Sequence, residues 1–99
     1  MVDIIAIQMS EGYNDLPHIT KLRWVQVDKP GSPAKTSPKD ATRKEMFDFV
    51  KKNPEVAFAI SANDRKWAYL EAVDSHVQYV KTMPDSTKSD NLLSLRRFK

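Results

Sequence analysis

His18 and His76 are the side chains best suited to proton transfer near neutral pH, and each stands beside a turn aspartate, Asp15 and Asp74. A catalytic histidine needs a nucleophile within reach, and neither has a serine in a strained-turn motif such as G-x-S-x-G. Both are read as surface histidines that bond locally. No pair of histidines falls at i, i+4 on a helix, so the spacing of a zinc site is missing. The segment Asp85-Ser86-Thr87-Lys88-Ser89-Asp90 fails as a calcium loop: its sixth position, where glycine makes the sharp turn, is Asp90, and its twelfth, where a bidentate glutamate belongs, is Arg96. Two glycines cannot build a phosphate cradle such as G-x-x-x-x-G-K or G-x-G-x-x-G, which excludes the usual nucleotide-binding enzymes. Zero cysteines remove disulfides, thiol nucleophiles and iron–sulfur ligation. The expectation is a protein without catalytic residues, cofactor or metal.

Basic–aromatic groupings are the remaining chemistry: Lys21-x-Arg23-Trp24, Arg65-Lys66-Trp67 and Arg96-Arg97-Phe98. Such groups can stack bases and hold phosphates. Strand alternation instead reads Trp24 and Trp67 as core residues with their charged neighbours pointing out. Phe98 either packs or stands exposed as an anchor for a partner. Net charge is +3, but residues 1–50 hold seven basic and seven acidic side chains and residues 51–99 nine against six. Arg96, Arg97 and Lys99 equal the whole excess, so the body is balanced and the basic character belongs to the end of the chain. Dedicated DNA binders spread positive charge over a face. These features point to a binding module that contacts another protein. The alternative is a nucleic-acid-associated protein using the basic C-terminal tail with Arg65, Lys66 and Lys51-Lys52. Candidate contact residues are Arg96, Arg97, Phe98, Lys99, Arg65 and Lys66, with the loop 28–38 as a second surface. Truncation after Leu95 is expected to leave the fold intact and weaken binding.

Positioning these residues takes a small set of elements. Ile5, Ile7 and Met9 alternate with Ala6, Gln8 and Ser10, predicting a strand that a turn over 11–17 folds back on a second strand from His18 to Val27. Ile19, Leu22 and Trp24 do not share one parity, so a bulge near Thr20-Lys21 is needed to bring them to one face. Residues 28–38, with three prolines and a glycine, form a loop, mobile at its tip. A helix follows, with Ser37 as cap, Pro38 at its first position and a second capping box at Thr42 and Glu45. Met46, Phe49 and Val50 form its buried stripe, and Asn53-Pro54 stops it. Val56 to Ser61, Trp67 to Val73 and Val77 to Lys81 make three further strands joined as a meander, the middle one placed centrally. Asp90-Asn91 then turns the chain so that Leu92, Leu93 and Leu95 strap across the core.

The fold class is therefore α+β: a mainly antiparallel sheet of about five strands with one helix on one face, in the order β-β-α-β-β-β. At 99 residues, 40% hydrophobic and 29% charged, the chain makes one domain, assigned to 1–95, with 96–99 as a basic tail. No signal peptide or membrane-spanning run is visible, so a cytoplasmic, membrane-free protein is expected. An exposed edge strand could pair two copies into a homodimer.

Tyr79-Val80-x-Thr82, Asp85 and Asp90-Asn91-Leu92-Leu93-x-Leu95 together resemble the C-terminal T-x-x-D…D-N-L-L-x-L signature of a small bacterial and bacteriophage family, a domain of unknown function. Ile19-x-x-Leu22-Arg23-Trp24, followed by a helix opening at Thr36-Ser37, is similar to that family's middle, so the resemblance spans about residues 4–98. Such domains often carry proline after the last leucine, where this chain has Arg96. The resemblance implies a compact stand-alone domain of a bacterium or its phage and no catalytic residues. Its phage context favours binding to a host protein.

Overall fold

The structure, a computed structural model, describes residues 1–83 and 90–99. Asp85 and most of the segment compared with a calcium loop lie outside the described residues. Seven strands form one mixed sheet: β1 (Val2–Met9), β2 (Ile19–Gln26), β3 (Lys39–Thr42), β4 (Ala57–Ile60), β5 (Trp67–Asp74), β6 (Gln78–Thr82) and β7 (Arg96–Arg97). Among the described residues there is one α-helix, α1 (Arg43–Lys52), between β3 and β4 in sequence. The spatial order is β3-β2-β1-β4-β5-β6, with β7 on β1. The expected α+β class with one helix holds, but the sheet has two more strands than expected and a different order.

The first added strand is β3. Lys39–Thr42 pairs antiparallel with β2, from Trp24↔Lys39 to Lys21↔Thr42, instead of opening the helix after Pro38. The preceding loop is tied at its base, where the Lys35 N–H donates to the Gln26 carbonyl at 2.7 Å and the Gln26 N–H to Thr36 Oγ1 at 3.0 Å. This closure holds residues 39–42 extended beside β2, so the helix starts one turn later, at the second capping box. The Glu45 N–H donates to Thr42 Oγ1 at 3.2 Å, and the Thr42 N–H donates back to Glu45 Oε1 at 2.9 Å. That bond from the Thr42 backbone holds the Glu45 carboxyl below its ordinary range. Thr42→Ala is expected to lower stability by about 1 kcal/mol, measured by urea unfolding, because it removes an N-cap acceptor.

The second addition is β7. Arg96 and Arg97 pair in parallel with Ala6 and Ile7, and the Phe98 N–H donates to the Ile7 carbonyl at 3.0 Å. The segment expected to hang free as a tail is thus half taken into the sheet. Along this side β1 is paired by β4 over Val2–Ile4 and by β7 over Ala6–Ile7. Ile5 falls between the two partners.

Two bulges set the faces. Thr20 is the extra residue between Gln8↔Lys21 and Met9↔Ile19, which brings Ile19, Leu22 and Trp24 to one face as expected. Ile5 is the extra residue between Ile4↔Trp24 and Ala6↔Arg23. It changes the parity of β1, so Ile4 and Ile7 face the helix while Ile5 turns to the opposite face; the expected Ile5–Ile7–Met9 row does not form. On β4 the small Ala57 and Ala59 lie under the helix, where bulk is excluded, and Phe58 and Ile60 point away from it.

On the helix face, Met46, Phe47 and Val50 pack on Ile4, Ile7, Leu22, Leu70 and Val80. Phe47 replaces Phe49 in the expected stripe, and Phe49 is 36% exposed. The last three long strands form the predicted meander, and β5 lies inside the sheet between β4 and β6. After β6, Asp90 caps a 3₁₀ turn over Asn91–Ser94: its carboxylate accepts from the Leu92 N–H at 2.8 Å and the Thr82 N–H at 2.9 Å. Leu92 is fully buried, with Leu93 and Leu95 packed beside it, so the leucines serve the core.

Candidate functional site

Helix α1 covers one face of the sheet; the other carries a smaller cluster, in which Phe58, Val25 and Val27 are buried with Met1, Ile5, Ile60 and Tyr69 around them. Trp67 extends this cluster. Its ring meets Phe58 edge-on at 5.9 Å and Tyr69 at 5.0 Å, yet the residue remains 44% exposed. The expectation that both tryptophans are core residues therefore holds for half-buried Trp24 and is corrected for Trp67. Trp67 stands at the start of β5, opposite Ile60 at the end of β4, where few neighbours remain to cover an indole.

Beside this pair, where Ile5 passes between β4 and β7, lies an open cleft of about 330 Å³. Ile5 and Ile60 supply apolar walls, Leu95 and Arg96 one side, Arg65 the other, and Asp3 an acid. Arg65 sits in the β4–β5 turn with φ +64°, and its N–H donates to the Ser61 carbonyl at 3.0 Å. Arg96 is placed by β7. The turn and the strap are joined through Asn91, whose Nδ2 donates to the Ala59 carbonyl at 3.0 Å and the Lys66 carbonyl at 3.2 Å. Ser94 Oγ adds a second tie, accepting from the Ala62 N–H at 3.0 Å. The fold thus draws two arginines, far apart in sequence, into one cleft.

The other expected contact residues go elsewhere. The Arg97 guanidinium donates to Asn14 Oδ1 and to the Leu93 carbonyl, and Phe98 lies beneath the Arg23 guanidinium, 3.9 Å from its ring centre. Lys66 is exposed in the turn, and Lys99 lines a separate hollow with Gln8, Met9, Glu11 and Phe98. His18 bonds Asp15 at 2.5 Å and stacks on Tyr13 with 3.7 Å between ring centres, the local arrangement expected of it. Among the described residues no group of three His, Asp or Glu side chains could hold a metal, and no helix is long and apolar enough to cross a membrane.

Asp3 was not singled out by its sequence context, although a carboxylate inside the apolar run Val2-Asp3-Ile4-Ile5 is the signal that could have found it. It lies on β1 between β2 and β4, and burial pushes its carboxyl up to about 6 from 3.8. The folded state therefore binds the Asp3 proton more tightly than the unfolded chain does. The Asp3 contribution to stability is therefore greatest below about pH 4 and falls as the pH rises toward 6, where the charged form carries the desolvation penalty. Because the side chain still sees water, screening leaves about 1–2 kcal/mol of this effect. Asp3→Asn is expected to be that much more stable than the native chain at pH 7.5 and equal to it near pH 4, measured by urea unfolding at both values.

A second hollow, about 210 Å³ and almost wholly apolar, opens between α1 and β2–β3 at Val2, Trp24, Met46 and Phe49. It contains none of the expected contact residues. No curated protein and no solved structure matches the chain. A family model described as "Protein of unknown function (DUF3892)" matches residues 3–96.

Proposed function

We propose that this chain, which belongs to the DUF3892 family of proteins of unknown function, is a non-enzymatic binding module that docks a host protein on the sheet face away from α1. One observation carries this reading: Arg65 and Arg96 converge on a cleft with an apolar floor, beside an exposed tryptophan. Interface centres are enriched in arginine and tryptophan, which combine large contact area with directed hydrogen bonds.

The nucleic-acid alternative is less well supported. Arg97 and Phe98 are engaged within the protein, and strand alternation puts Asp3, Asp40 and Glu71 on the same face as the two arginines. On that face Asp40 and Glu71 are paired with Arg23 and Lys81, so those cations are neutralised and a phosphate chain meets no continuous basic track.

The test is affinity capture from host lysate with the tagged native chain and with Arg65→Glu/Arg96→Glu, each with nuclease. The expected result is one protein retained by the native chain through nuclease and lost from the double variant. The double variant should unfold within about 0.5 kcal/mol of native, as exposed substitutions generally do. Equal retention by both proteins contradicts the assignment of the cleft. Recovery that disappears with nuclease replaces the reading with the nucleic-acid one.

A further inference from the structure

We propose that the segment docking in this cleft is acidic, with carboxylates placed between the Arg65 and Arg96 guanidinium groups and an apolar side chain on the Ile5–Ile60 floor. The inference rests on the reading of the cleft as a protein-docking surface and names the chemistry of its ligand.

Charge complementarity carries it. Arg23, Lys35, Lys44, Lys51 and Lys81 each lie within 3.6 Å of a carboxylate of the chain itself. Arg65 and Arg96 have no such partner among the described residues; Lys21, Lys39, Lys52 and Lys66 also have none, but these two arginines line one cleft together. Asp3 shares that cleft but pairs with neither, and its carboxyl is raised by burial with no opposing pull from a guanidinium. Two arginines without carboxylate partners lining one cleft can form a receptor for carboxylates, because the planar fork of arginine matches a carboxylate bidentately.

The apolar part of the ligand follows from the floor. Ile5 and Ile60 are only half-buried, and Ile60 is the cross-strand partner of exposed Trp67. A purely polyacidic chain would leave this surface wet. A segment that alternates acidic and apolar residues presents both halves at once.

The probe is an end-capped peptide of alternating Asp and Leu, titrated into the isotope-labelled full chain and followed by NMR at Ile60, Arg65, the Trp67 indole N–H and Arg96. A matched Lys–Leu peptide and an oligothymidylate are run in parallel. The acidic peptide is expected to move these resonances saturably while the other two leave them in place. Arg65→Glu/Arg96→Glu should weaken it at least about tenfold, and Asp3→Asn, which removes a like charge, should tighten it about threefold. Lys52→Glu, on the far end of α1, should change neither. Equal shifts with the Lys–Leu peptide would overturn the acidic preference while leaving the cleft a docking surface. Saturable shifts with the oligonucleotide alone would overturn both the preference and the protein-docking reading. If no probe moves these resonances, the acidic inference fails. The docking reading then still stands on whether the captured protein discriminates the double variant.

Discussion

Asn91→Ala is expected to lower the unfolding free energy by about 2–4 kcal/mol, the sum of one buried and one partly buried hydrogen bond and the carbonyls left without them. Asn91 is 4% exposed, and its amide bridges Ala59 in β4 and Lys66 in the following turn. Its own N–H donates to Thr82 Oγ1 at 3.2 Å, tying the same residue to β6. The side chain therefore ties the strap to β4 and the β4–β5 turn, while the backbone N–H, which the substitution keeps, ties it to β6. Urea unfolding measures the loss. In the same variant the Arg65 and Arg96 resonances should shift under conditions where it remains folded, because the turn and the strap lose their common anchor. A loss below about 0.5 kcal/mol, the range of ordinary surface changes, would show that the strap holds without this bridge.

Deleting residues 96–99 is expected to cost about 2–3 kcal/mol, not to leave the fold untouched as the basic composition of the segment suggests. The deletion removes the β7 pairing with Ala6 and Ile7 and the Phe98 bond to the Ile7 carbonyl. Ladder bonds contribute about 1 kcal/mol each, and the Arg23–Phe98 contact about 0.5–1 kcal/mol at a partly exposed site. It also opens the edge of β1 at two residues that are buried to 2% and 0% exposure. Denaturant unfolding of the truncated chain gives the value; native stability in that chain would show that the segment is a tail after all. Weaker partner binding by the truncation is consequently ambiguous, and charge reversal at Arg96 is the cleaner probe.

Much of this fold was legible because local patterns agree with it. Apolar alternation marks β1, β2 and β4, apolar runs between turn residues mark β5 and β6, the parity break from Ile19 to Leu22 marks the bulge at Thr20, and Thr42 with Glu45 marks the helix start. Asp90 followed by three leucines marks the strap. The rest depends on tertiary context. Lys39–Thr42 has no strand pattern and is extended only because the loop before it closes on β2. Arg96-Arg97 reads as a tail because two arginines give no strand signal, and β7 exists because β1 has a vacant edge beyond Ile4. The Ile5 bulge leaves no mark in the sequence, since Ile4, Ile5 and Ile7 are equally apolar.

The candidate site shows the same division. Arg65 and Arg96 were visible as basic residues beside aromatics, but strand pairing alone brings them together. Trp67 looked like a core residue because it belongs to a strand with apolar residues on both parities; its position at the end of that strand leaves it exposed. Arg97 and Phe98 looked equivalent to Arg96, and the alternation of a two-residue strand separates their roles.

The central claim is that the partner sits on the sheet face opposite the helix, and Trp67 and Phe49, exposed aromatics on opposite faces, allow it to be tested directly. A photoreactive phenylalanine analogue placed at each position in turn, followed by irradiation with the captured partner, reads which face is in contact. A crosslinked product from position 67 and none from position 49 is the predicted result. A product from position 49 alone would place the partner on the apolar hollow beside α1 and contradict the account.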